Sequence, residues 1–338
     1  MVFTGAFVYL QWQKESTFGT ASAMAAAEDF GFEQKITGWS FTNNKIALAQ
    51  LNDVRVKTYA YGQTRGTFSV DFVFSSPWFL ELIGFKDSTC PGGGGPYTHT
   101  WCIDATSGTK LIQSFSVEVG QEAGGTDIVR TLAGGIVNSA TINTSIGELA
   151  RVTLDTNYAN ESLTTALCAC LNPISITNHI PYTFAHGELK FPDATIITEV
   201  QDVNVTFSQN ADHIWGVGNS VAASGVRKLF EITGSFKTSY TDSVQLQKLY
   251  AQQKDTLGNT DAGDECLLVE QPTLTLTFDN GESGCDTRSI VFSFTGIALD
   301  DHALNIEPNE PIFEDLTWQA SGCTAVAVNN TATVPPSS

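Results

Sequence analysis

Apolar and polar residues alternate along much of this chain with a period of two. Phe68, Val70 and Phe72 are interleaved with Ser69 and Asp71, and Phe115, Val117 and Val119 with Ser116 and Glu118. Val54, Val56 and Thr58 alternate likewise, as do the stretches Ile136 to Ile142 and Val152 to Thr156. A period of two places successive side chains on opposite faces of a strand. In the second half the pattern predicts strands at Tyr182 to Leu189, Asp202 to Gln209, Phe230 to Thr238, Leu274 to Phe278, Ser289 to Leu299 and Ile312 to Gln319. Two stretches break the alternation. Pro77 after Ser76 predicts a short helix over 77–84. Asp242, a natural N-cap, predicts another near 242–251. Strands and helices do not alternate as in βαβ units, which argues against a parallel sheet. The chain is predicted to be all-β dominated: two tandem antiparallel β-sandwich or barrel units, each with one short flanking helix.

The tandem reading rests on a pattern that occurs twice. Gly66-Thr67-Phe68-Ser69-Val70 precedes one predicted helix, and Gly234-Ser235-Phe236-Lys237-Thr238 precedes the other at an offset of 168. Phe41-Thr42-Asn43-Asn44 matches Phe207-Ser208-Gln209-Asn210 at 166, and Phe115 to Val119 matches Leu274 to Phe278 at 159. Gly135-Ile136 matches Gly296-Ile297 at 161, and Gly147-Glu148 matches Asn309-Glu310 at 162. Their common order favours duplication over two unrelated β-domains. The chain is accordingly divided into an arm (1–35, with a possible short helix in the Ala-rich patch 21–27), a first β-domain (36–160), a linker (161–180), a second β-domain (181–323) and a flexible Thr/Pro-containing tail (324–338).

Charge adds to this picture. Lys and Arg number 17 against 36 Asp and Glu, for a net charge of −19. That opposes tight wrapping of nucleic acid. No basic leader and no apolar run of membrane-spanning length is present, so synthesis in the cytoplasm and no membrane association are expected. Seven cysteines admit disulfides, with Cys90–Cys102 and Cys266–Cys285 the candidate pairs, or simply small buried hydrophobes. Cys168-Ala169-Cys170 lacks the second pair that a zinc site needs.

A search for chemistry finds no catalytic, cofactor or metal signature. The histidines His99, His179, His186, His213 and His302 form no metal-binding pair at helical spacing. Asp300-Asp301-His302 has metal-ligating residue types but reads as a turn after a strand. Gly92, Gly93, Gly94 and Gly95 lack the Lys-Ser/Thr of a phosphate-cradling loop. Asp261 and Asp264 sit in an acidic loop, 253–265, whose spacing does not match a calcium loop. These two loops are instead candidate contacts between chains or rings.

Glu15-Ser16-Thr17-Phe18-Gly19-Thr20, Gln113 to Gly120 with Asp127 to Ser139, and Glu199 to Val205 with Ile232 to Phe236 together resemble the tail tube proteins of tailed viruses. The resemblance implies β-sandwich-like units with a flanking helix, inner sheets that join around a DNA channel, and stacked rings. For a tandem chain it implies three chains in a pseudo-sixfold ring. It also implies a virion-tail location, tape-measure, tail-tip and terminator proteins as partners, and DNA that passes through the lumen without specific binding. Two other classes fit the composition. One is a cell-surface, pilus-like or carbohydrate-binding β-protein, with Trp39 or Trp215 as a sugar platform; the other is a β-sandwich glycoside hydrolase.

Overall fold

The computed structural model describes residues 8–25, 27–50, 55–87, 97–103, 112–121, 127–165, 181–192, 194–240, 249, 272–280, 288–306 and 311–329. In the first half the alternating sequences form β1 (Val8–Lys14), β2 (Phe32–Asn43), β3 (Ile46–Ala49), β4 (Val56–Ala60), β5 (Thr64–Val73), β6 (Phe85–Asp87) and β7 (Tyr97–Ile103). They continue as β8 (Phe115–Gln121), β9 (Ile128–Ser145), β10 (Arg151–Tyr158) and β11 (Asn160–Thr164). The second half supplies β12 (Gly187–Lys190), β13 (Ile196–Ile197), β14 (Val200–Ser208), β15 (Asp212–Ile214) and β16 (Ser224–Val226). It ends with β17 (Glu231–Ser239), β18 (Leu274–Asp279), β19 (Ser289–Asn305) and β20 (Phe313–Asn329).

Sixteen of these strands hydrogen-bond into one sheet, with main path β13-β12-β18-β19-β20-β17-β14-β9-β10-β5-β2. Its ladders are antiparallel. The all-β dominated reading holds. In the first half, β2, β5, β10 and the end of β9 lie side by side, while the start of β9 pairs with β8 and β11, and β8 with β1. In the second half, β14, β17, the start of β20 and the end of β19 lie side by side. The start of β19 pairs with β18 and the end of β20, and β18 with β12. The halves join at two ladders, β9 with β14 and β7 with β20.

The long strands change partners where the backbone is interrupted. In β9 and β19, Gly134 and Gly296 have φ of 68° and 63°, a left-handed conformation that costs glycine nothing. One residue on each long strand bulges. Asp155 faces Ser139 and Thr156 faces Val137, leaving Asn138 over; Thr317 faces Asp301 and Trp318 faces Leu299, leaving Asp300 over.

Folding back lets apolar faces meet across a core common to both halves. Phe207 of β14 lies 6.3 Å from Phe292 and 6.2 Å from Phe294 of β19, and Phe74 lies 5.7 Å from Phe278. The predicted helix at 77–84 is a 3-10 helix, Pro77–Ile83. Its buried residues go all round rather than along one stripe, and Gly84 ends it in the left-handed region with its N–H bonded to the Leu80 carbonyl. Of the predicted helix at 242–251, only Leu249 is among the described residues; it is helical and packs against the core. No helix of the described residues is long and apolar enough to cross a membrane.

Several boundaries differ from the sequence reading. Residues 8–14 of the expected arm form β1, because Trp12 is buried and its neighbours Gln11 and Gln13 are buried with it beside β8. No helix forms in the described part of the Ala-rich patch. The expected linker begins in a strand, β11. Thr324–Asn329, read as tail, complete β20 between β19 and β7, with Ala325 and Ala327 buried. The strand expected from Tyr182 begins only at Gly187, after a 3-10 turn at Phe184–His186. Asp300-Asp301-His302 is strand and bulge rather than turn.

Candidate assembly surface

Eight strand segments, β2, β5, β10, β9, β14, β17, β20 and β19 in that spatial order, form a continuous run with two unlike faces. Phe68, Val70, Leu154, Ile142, Val205, Phe207, Phe236, Leu316 and Trp318 point to the core and are buried. Period two sends their neighbours to the other face. That face carries Ser40, Thr67, Ser69, Thr153, Asp155, Ser139, Thr141, Asn143, Asn204, Thr206, Ser235 and Thr317.

Short side chains on this face bond to one another across strands. The Ser69 hydroxyl donates to Asp155 Oδ1 at 2.6 Å, and that of Ser139 to Asp155 Oδ2 at 3.1 Å. Thr141 and Thr206 hydroxyls lie 3.0 Å apart, those of Ser40 and Thr67 2.8 Å apart, and Ser145 donates to Asp202 at 2.8 Å. Lys35, Arg65 and Lys237 stand on the same face, while Arg151 is internally neutralised, contacting Asp71 at 2.8 Å and Glu33 at 3.0 Å. The Asp71 hydrogen bond holds this guanidinium charged. The face is hydroxyl-rich, and its Asp71, Asp155 and Asp202 already accept from neighbouring side chains.

Beneath the start of β9 lies a second constellation. Buried Glu15 accepts from Ser116 Oγ at 2.7 Å and from the Gly134 N–H at 2.8 Å through Oε1, and from the Gly19 N–H at 2.9 Å through Oε2. Gly19 and Gly134 both have positive φ. One carboxylate thus holds the turn after β1 against the break in β9. His213 Nε2 stands 3.1 Å from the Gly134 carbonyl, and burial pushes this imidazole down. The Glu15 motif was legible; its contact with Gly134 was not, because the two are 119 residues apart.

The predicted site residues are spread differently. Cys90, Gly92, Gly93, Gly94, Gly95, Asp261, Asp264, Cys266 and Cys285 lie outside the described residues. Among the described residues, Cys102 and Cys323 are free thiols, and no cluster of His, Cys, Asp and Glu suits a metal. Trp39, a candidate sugar platform, has Arg130 at 3.7 Å over its ring and donates its indole N–H to Tyr158 at 3.1 Å. That ring face is occupied. Trp215 sits edge-on to His213 at 5.8 Å.

Comparison with known proteins gives one family. A family model described as phage tail tube protein matches residues 5–320. No curated protein matches the chain. Among solved structures, the crystal structure of a Pseudomonas aeruginosa FadL homologue aligns with 79% of this chain and 63% of that one, at 7% identity and a TM-score of 0.09. So low a score carries no structural argument.

Proposed function

This chain belongs to the phage tail tube protein family, and we propose that it is the tube-forming subunit. In this reading it stacks as rings into a hollow conduit for genome delivery and works as a structural part without catalysis. The carrying observation is the eight-strand run, apolar and buried on one face, hydroxyl-rich on the other, and unpaired by any described strand at both ends. An open sheet edge invites pairing with another chain, and a closed ring satisfies every edge. With the polar face turned inward, DNA meets chiefly hydroxyls and carboxylates, among them Asp71, Asp155 and Asp202 that already accept hydrogen bonds. A wall dominated by hydroxyls and carboxylates, with few cations among them, releases few counterions and so gives phosphates little to hold.

The two halves are read as tandem copies of one unit, so three chains make a pseudo-sixfold ring. The bulges support this. Counting outward from Asn138 and Asp300 aligns β9 with β19 and β10 with β20 at an offset of 162, and β2 with β14 and β5 with β17 at 166. Phe68 opposite Thr156 then corresponds to Gly234 opposite Trp318, and Gly66 opposite Tyr158 to Ile232 opposite Ala320. Large and small residues change sides while the volume between strands is kept. The offset of 168 taken from the two glycines is therefore two residues out of register. A slip of two preserves the face of every side chain.

Segments with Gly92–Gly95 and with Asp261 and Asp264 are assigned to contacts between rings. Tape-measure, tail-tip and terminator proteins are the assigned partners in a virion tail made in the host cytoplasm. Electron microscopy of the purified protein tests the reading: hollow tubes are expected, and a monomer at all concentrations or a solid fibre would refute it.

A further inference from the structure

Inside the chain the halves meet along one ladder of the polar-faced run. Strands β9 and β14 are antiparallel, with Ser139 opposite Ser208, Ala140 opposite Phe207, Thr141 opposite Thr206 and Ile142 opposite Val205. This part of β9 therefore has β10 on one side and β14 on the other. The corresponding part of β19, Asp301–Asn305, has β20 on one side and no described strand on the other. The strand corresponding to β14 is β2, which ends the sheet with β5 beside it. The chain thus exposes separately the two edges that it joins once internally.

We propose that a second copy of this chain occupies these edges, β2 of one copy adding antiparallel to β19 of the next in the register of the internal junction. The proposal rests on the ring reading above and specifies its contact. Carrying the β9–β14 ladder across at the offsets set by the bulges places Asp301 opposite Thr42, His302 opposite Phe41, Ala303 opposite Ser40 and Leu304 opposite Trp39.

Burial differs between the made and the unmade junction as this requires. Phe207 and Ile142 are 0% and 1% exposed, whereas their counterparts Phe41 and Leu304 are 42% and 38% exposed. All four follow the inward-facing alternation of their strands. Pairing of the edges covers Phe41 and Leu304 as the internal ladder covers Phe207 and Ile142.

A pair of hairpins carries the same argument. β3–β4 lies between β2 and β5, and β15–β16 lies between β14 and β17, with cross-strand registers that coincide at the offset of 166. The β15–β16 hairpin lies on β9. His213 reaches the Gly134 carbonyl, and Gly225 approaches Ile136 so closely that a Cβ there would stand 2.9 Å from its Cγ2. Among the described residues no strand lies under the β3–β4 hairpin as β9 lies under β15–β16, and Ile46, Leu48 and Tyr59 are 53%, 45% and 62% exposed. The counterpart of Gly225 is Tyr59, and that of Ile136 is Ala298. The large residue is on the strand in the internal contact and on the hairpin in the other. Tyr59 of one copy therefore lies over Ala298 of the next.

Disulfide trapping in assembled tubes tests this. The Thr141 and Thr206 hydroxyls are 3.0 Å apart across the internal ladder, so cysteines at their counterparts meet within disulfide reach. The chain carrying Ser40→Cys and Ala303→Cys is assembled under reductant, then oxidised, and the linkage is read by non-reducing electrophoresis and peptide mass spectrometry. Conversion of the monomer band to covalent closed oligomers linked 40 to 303 is expected, with Thr42→Cys plus Ala303→Cys staying unlinked. If the first double variant does not assemble, Tyr59→Cys plus Ala298→Cys reads the same contact. Tubes in which the in-register pairs stay unlinked, or in which 42 links to 303 instead, overturn the pairing and spare the tube. Wild-type chains that never form tubes overturn the ring reading and the pairing together.

Discussion

At the scale of single residues, Glu15 and Glu28 both bear on the segment around β1. Glu15 is buried and accepts from two backbone N–H groups and a hydroxyl. Removing it leaves buried donors unpaired, at about 1–3 kcal/mol for each. With the Gly134 N–H and the Ser116 hydroxyl both buried, Glu15→Ala is expected to lower the chain's unfolding free energy by about 2–6 kcal/mol, measured by urea titration of unassembled protein, with Glu15→Gln intermediate. Burial, reinforced by the charge of Asp29, pushes the Glu28 carboxyl up to about 7 from 4.5. The folded chain thus binds this proton more tightly than the unfolded chain. The resulting stabilisation is fully present below 4.5 and fades as pH rises through about 7. Its ceiling is about 3 kcal/mol, lowered by the partial exposure of Glu28. Thermal melts at pH 5 and pH 8 should show a smaller difference for Glu28→Gln than for the wild-type chain; an unchanged difference would remove Glu28 from the account.

Elements extend the contrast between made and unmade contacts. Phe207→Ala empties a site with 0% exposure and should cost about 3–5 kcal/mol of folding stability. Phe41→Asp changes a residue on an open edge. It is expected to leave the circular dichroism spectrum and melting of the single chain nearly unchanged while abolishing assembly in light scattering. A chain ending at Cys323 loses the part of β20 held between β19 and β7, so its urea midpoint should fall clearly. Strand existence was legible because alternation such as Phe68, Val70, Phe72 is a direct consequence of one buried face. The ends of the sheet were less legible. Ala325 and Ala327 alternate too, but their small size and Thr/Asn surroundings resemble a tail by composition, and only pairing with β7 reveals them as core. Trp12 was hidden similarly between buried Gln11 and Gln13. The polar face could be read as exposed Ser, Thr and Asn, but not as one surface, since its continuity depends on β9 meeting β14.

For the whole molecule, the central claim is that the chain's two β-units and their shared polar face become part of a closed wall. Within one chain the internal junction already has a hydroxyl-lined outer face and a buried aromatic beneath it. In the proposed assembly, repetition of that junction between chains would close the ring and turn the polar face to the lumen. Cryo-electron microscopy of assembled tubes measures this most directly. The account predicts three chains per ring, with the face carrying Ser69, Thr141, Asp155 and Thr206 lining a hollow channel. A ring of six whole chains, or a channel lined by any other surface of the chain, would contradict it.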